Sequence, residues 1–217
     1  RNLLAVSRAA AILCLLTPLA ASAQQTRSRT EGLRETDRFI RAGEQTTTAV
    51  GTAKTEVERT LTAYNTLISQ PSKDMRRDYR NLMSRVDTMN RRVTDATTRI
   101  GAMQAAADVY YQGRGLTIKE IQDKHLQAQA QQRREQTPTH FDRVPTDLRD
   151  AGGALEPVRK QLTDQITFLG SDLNPSATAS LKPQAEKLNA GATVVFASTD
   201  AAIAKATAFF NALRSQP

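Results

Sequence analysis

His125 and His140 are the only two imidazoles in the chain. No His-Glu-x-x-His pattern and no carboxylate cluster stands near either one, so they are read as surface or helix-end residues and not as metal ligands. Cys14, the single cysteine, lies inside an apolar run and offers neither a disulfide nor a Cys-based metal site. Gly113-Arg114-Gly115 lacks the following Gly-Lys and the preceding strand of a phosphate loop. The many Ser and Thr residues never form the Gly-x-Ser-x-Gly turn that exposes a nucleophile. Carboxylates such as Glu56 and Glu58, or Asp142 and Asp147, are scattered among other charges, with no dry pocket implied. The residues therefore name no catalytic group, no cofactor or metal ligand and no small-molecule substrate. The remaining chemistry is anion contact by Arg76, Arg77, Arg80, Arg91 and Arg92. Against that stands a solvated ion-paired face, because Asp74, Asp78, Asp87 and Asp95 are interleaved with them.

Those arginines belong to the most regular stretch of the chain. Tyr79, Leu82, Val86, Met89, Val93, Ala96, Ile100, Met103, Ala107 and Tyr110 alternate spacings of three and four. That is a heptad seam on one long helix. Strict sevens imply a left-handed winding of partners laid on it. A second seam precedes it: Leu33, Thr36, Ile40, Gly43, Thr47, Val50, Lys54, Val57, Leu61, Tyr64, Ile68. Gly and Thr are poor helix formers, so this helix is expected to be loosest between Gly43 and Gly51. A third seam runs Phe141, Val144, Leu148, Ala151, Leu155, Val158, Leu162, Gln165, Leu169, Leu173, and Pro145, Gly152-Gly153 and Pro157 should kink or segment its first half. The last seam is Leu181, Ala185, Leu188, Ala192, Val195, Thr199, Ala202, Ala206, Phe209, Leu213, with Pro183 predicting a kink near Ala179.

The boundaries follow from turn and cap chemistry. Helices are expected over about 30–69, 73–112, 138–172 and 175–214. Gly113-Arg114-Gly115 either ends the second helix or lies in a bend of one that continues to 136 through Leu116, Ile118, Ile121 and Leu126. Ser72 or Asp74 can cap the second helix, Thr137 precedes Pro138, and Asn174 caps the last helix with Pro175 at its first position. Gln127 to Arg134 is Gln- and Ala-rich and should be exposed. No stretch sustains period-two alternation. The fold class is all-α: an elongated antiparallel bundle of about four long helices with coiled-coil-like heptad seams, one domain over 24–217.

The first 23 residues are set apart. Arg1 and Arg8 precede an apolar run from Ala9 to Ala21, and Ala21-Ser22-Ala23 is a small-x-small cleavage site. This is the pattern of a secretory signal peptide. Residues 24–30 are polar and expected to fray. The net charge of +8 falls to +6 when Arg1 and Arg8 leave with the signal. A basic balance favours anionic surfaces. Aromatics at 5% with no Trp argue against specific nucleic-acid binding.

Leu155-Glu156-Pro157-Val158, Leu162-Thr163-Asp164-Gln165-Ile166-Thr167-Phe168-Leu169, Asp172-Leu173-Asn174 and Ala177-Thr178-Ala179-Ser180-Leu181 together resemble the C-terminal signature of domain-of-unknown-function family 2959. The resemblance is strongest over Leu155–Leu181 and implies an exported, all-helical bacterial protein. It carries over no catalytic residues. Members often end the signal with a lipoprotein cysteine, whereas here Cys14 sits too early, behind a bulky Leu13. The expectation is an exported structural or interaction protein of the envelope, periplasmic or secreted and soluble after cleavage, that binds a protein partner or itself. The alternatives are a basic binder of anionic envelope surface, lipid headgroup or polyanion, and a helical periplasmic chaperone.

Overall fold

The computed structural model describes residues 18–70, 73–136 and 143–215. Five helices follow one another: α1 Pro18–Ser69, α2 Met75–Lys119, α3 Lys124–Gln136, α4 Val144–Ser171 and α5 Pro175–Arg214. The fold is all-α, with no strand among the described residues.

Several boundaries differ from the sequence expectation. α1 reaches back to Pro18, where residue 30 was expected as the start. α2 does not stop at the Gly113 region; it runs through it to Lys119, and the chain turns at residues 120–123 before α3. Two helical Gly residues lower propensity without forbidding the helix, and the aromatic pair just before them holds it in place. Leu116 and Leu126 do not extend an inward seam: they are 61% and 53% exposed. α4 begins at Val144 and not at 138, with Pro145 in its first turn, where a missing N–H costs nothing. Thr137, Pro138, His140 and Phe141 lie outside the described residues. Pro157 and Pro183 sit inside single continuous helices, α4 and α5.

The caps follow from side-chain chemistry. Asp74 accepts from the Arg77 backbone N–H at 3.0 Å, and Asn174 accepts from that of Ala177 at 2.9 Å, with Pro175 next. Each satisfies a donor the first helical turn leaves open.

α1 lies against α2, α4 and α5, and α4 also touches α2 and α5. Direction is fixed by paired contacts. Phe39 stacks on Tyr110 at 5.0 Å and Thr46 reaches the Arg99 carbonyl at 2.9 Å, so α1 and α2 run oppositely. Asn65 and Asn189 exchange amide hydrogen bonds at 2.8 and 3.2 Å, which makes α5 antiparallel to α1 at a level far from the Phe39–Phe210 contact. Tyr64 donates to Gln165 at 2.7 Å, and α4 runs parallel to α1.

Residues at many of the expected seam positions are buried. Leu82, Val86, Met89, Val93, Ile100 and Met103 of α2, Leu148, Leu155, Leu162 and Leu169 of α4, and Leu181, Leu188 and Phe209 of α5 are all buried. Tyr79 and Val195 are half-buried against this core. α1 differs: it also buries Phe39, Thr46, Ala49, Ala53, Thr60 and Leu67, a second row beside its seam, because three helices pack on it. Leu33, the first residue of that seam, is 67% exposed. Phe39, Tyr110, Tyr111, Phe209 and Phe210 form an aromatic cluster with ring centroids 5.0–6.1 Å apart. Gly43 is buried under it, where a methyl group would overlap the Phe210 ring.

Candidate functional site

The outward side of α1 is a ridge of threonines. Thr48 donates to the Glu44 carbonyl at 2.9 Å and Thr52 to the Thr48 carbonyl at 2.9 Å. Thr55, Thr62 and Thr66 make the same bond four residues back. A hydroxyl whose proton is held by its own helix is not poised as a nucleophile, but its oxygen still accepts.

A shallow open groove flanks this ridge on each side. One, of about 530 Å³, lies between α1 and α5 and is lined by Thr48, Thr52, Thr55, Lys54, Arg59 and Asp200 among others. The Lys54 ammonium bridges Glu58 at 3.0 Å and Asp200 at 2.9 Å and sits 5.7 Å from the Phe196 ring centre. Burial alone would lower its pKa; the hydrogen bonds it donates to Asp200 and Glu58 outweigh that, and the pKa lies above the usual lysine value. The sequence placed Lys54 on a seam. The helix lets it snorkel to the rim, its stem covering apolar surface.

The other groove, of about 420 Å³, lies between α1 and α2. Glu44, Gln45, Thr48 and Thr52 face Arg92, Asp95 and Arg99 across it. Its two carboxylates already have cations: Glu44 pairs with Arg214 and Asp95 with Arg99 at 3.5 Å. Arg99 also donates to the Gln45 side-chain oxygen at 2.9 Å.

The candidate anion contacts Arg76, Arg77, Arg80, Arg91 and Arg92 are all exposed on α2. Arg77 reaches Asp78 at 3.7 Å and Arg91 donates to Thr88 at 3.1 Å. The side chains of Arg76, Arg80, Arg85 and Arg92 have no ion pair or hydrogen bond among the described residues. Nine basic against four acidic residues give α2 a net charge of +5, while α4 has three against four. The protein's positive charge is therefore concentrated on one helix, an asymmetry that a composition total does not convey.

On α4, the Arg159 guanidinium grips Glu156 at 2.5 Å and the Asn90 side chain of α2 at 2.8 Å. The hydrogen bond from Arg159 holds the Glu156 carboxyl below its usual range. Tyr64 is fully buried, and burial pushes its phenol up to about 12. His125 is exposed on α3, and no group of three metal-ligating side chains occurs among the described residues. Ala21 and Ala23 of the expected cleavage site lie in the first turns of α1. α5 is long and apolar enough to cross a membrane by length and composition. It is also a core helix, packed on α1 and α4 through residues such as Leu188 and Phe210.

Comparison with known proteins adds one finding. No curated protein and no solved structure matches the chain. Residues 26–213 match a family described as "Protein of unknown function (DUF2959)". That match runs from within α1 to the last turn of α5, and by it the chain belongs to the DUF2959 family.

Proposed function

We propose that this protein is an exported, non-enzymatic structural or interaction protein of the bacterial envelope. Its body is an elongated antiparallel bundle of four long helices joined along heptad seams, with α3 as an appendage. The observation that carries this reading is where the polar groups are spent. Every buried side-chain nitrogen or oxygen among the described residues has a hydrogen-bond partner. The interhelical partners, Thr46 with Arg99, Tyr64 with Gln165 and Asn65 with Asn189, serve register rather than reaction. The grooves are open, and the threonines along them are bonded to their own helix. Such a surface suits contact with another molecule more than chemistry on it.

Export is read from Ala21-Ser22-Ala23 behind the apolar run. Expression in a bacterial host with intact-mass analysis of the envelope fraction tests it: the expected product starts at Gln24, and retention of the first 23 residues on a cytoplasmic product overturns it. Light scattering across a concentration series tests self-association. A strictly monomeric particle at high concentration removes that half of the reading and leaves a partner of another kind.

A further inference from the structure

The groove between α1 and α2 differs chemically on its two walls. From α2 come the guanidiniums of Arg92 and Arg99, with Asp95 between them paired to Arg99. Arg92 lines the groove, and Arg85 stands one heptad back on the same flank, about 10.5 Å along the helix. Neither side chain has an ion pair or hydrogen bond among the described residues, and both are exposed. From α1 come Thr48 and Thr52, whose protons are spent on backbone carbonyls and whose oxygens are left to accept. Gln45 gives its side-chain oxygen to Arg99, which leaves its amide N–H groups to donate. The groove thus offers the uncommitted Arg92 guanidinium, with Arg85 one helical repeat beyond it, beside threonine acceptors, while its carboxylates Glu44 and Asp95 are held by Arg214 and Arg99.

Three anionic partners would answer the cations, and the rest of the groove chooses among them. A bilayer would call for exposed apolar side chains to enter the interface. Among the described residues the exposed large apolar ones are Leu33, Val109, Leu116, Leu126, Phe168 and Val194, none of which lies on α2 beside Arg85 and Arg92. A single-stranded nucleic acid would call for an aromatic platform, and no aromatic residue lines the groove. Polyphosphate oxygens only accept, so they cannot satisfy Thr48 and Thr52. A sugar chain bearing carboxylates satisfies both walls: carboxylates meet guanidiniums, which bind them in bidentate fashion, and sugar hydroxyls donate to the threonine oxygens. We propose that the α1–α2 groove binds a linear acidic polysaccharide, with Arg85 and Arg92 holding carboxylates and Thr48 and Thr52 accepting from hydroxyls. The proposal rests on the non-catalytic reading above and names its partner.

The test is titration of the full chain with labelled polygalacturonate, and separately with polyphosphate and with vesicles containing phosphatidylglycerol. The Arg85→Gln/Arg92→Gln pair is compared with Arg76→Gln/Arg80→Gln, which removes the same charge from the other flank of α2. The expected result is about tenfold or greater loss of polygalacturonate affinity for the groove pair, against less than about threefold for the other pair. Thr48→Val/Thr52→Val should weaken polygalacturonate about fivefold and leave any polyphosphate binding unchanged. Unchanged helical circular dichroism confirms that each variant is folded. Equal losses in the two arginine pairs, vesicle or polyphosphate binding without polygalacturonate binding, or no binding at all would overturn the proposal. None of these outcomes bears on the N-terminal mass or light-scattering tests, so the two readings fail separately.

Discussion

Single positions decide more here than their residue types suggest. Gly43 is a helix interior glycine with the Phe210 ring lying where a side chain would be. Alanine gains about 1 kcal/mol of helix propensity there but forces the ring aside, and overpacking costs about 1–3 kcal/mol. Gly43→Ala is therefore expected to lower the urea midpoint. Gly101 is exposed on α2 with nothing near it, so Gly101→Ala should raise the midpoint by about 0.5–1 kcal/mol of stability. If both substitutions stabilise, the close approach at Gly43 is wrong. Tyr64 supplies a pH signature. Its phenol titrates near 12 in the fold against an ordinary value of 10.0. A raised folded pKa means the contribution is complete below pH 10 and is lost as pH rises towards 12. The two-unit difference corresponds to roughly 3 kcal/mol. Tyr64→Phe should flatten stability over that window while costing about 1 kcal/mol at neutral pH through the orphaned Gln165. An identical alkaline profile for the variant would refute the assignment.

At the scale of elements, α5 depends on its start. Asn174 is the residue that accepts from the first turn, and Asn174→Ala is expected to cost about 1 kcal/mol, read as a shift in urea midpoint with unchanged slope. No change would mean that Pro175 alone defines the start. α3 is the contrasting element. It touches α2, and residues 124–132 include none that is buried. Trypsin should cut first around Lys119 and Lys124, with the helical dichroism of the remaining body retained. First cuts inside α1 or α5 instead would show that the body is the weaker part. Apolar spacings of three and four made α2, α4 and α5 legible as helices, because each of them buries essentially one stripe. They were less complete for α1, whose second buried row of Phe39, Thr46, Ala53 and Thr60 mixes small and polar residues that a search for large apolar spacing passes over.

The whole molecule is a set of rods with uneven charge. α2 holds the arginine excess while α4 is close to neutral, so salt should weaken any contact made through α2, within a screening length of about 10 Å at 0.1 M. The sequence by itself determined the all-helical class, the cap at Asn174 and the family, and narrowed the cap of α2 to Ser72 or Asp74, because period, propensity and capping are local properties written residue by residue. Only the tertiary structure decided that Gly43 seats an aromatic ring, that Lys54 reaches Asp200 on α5, and that Arg92 faces a threonine wall. Those are contacts between residues far apart in the chain. They depend on which helices become neighbours and at what level, and helical spacing along one segment has no information about the segment beside it.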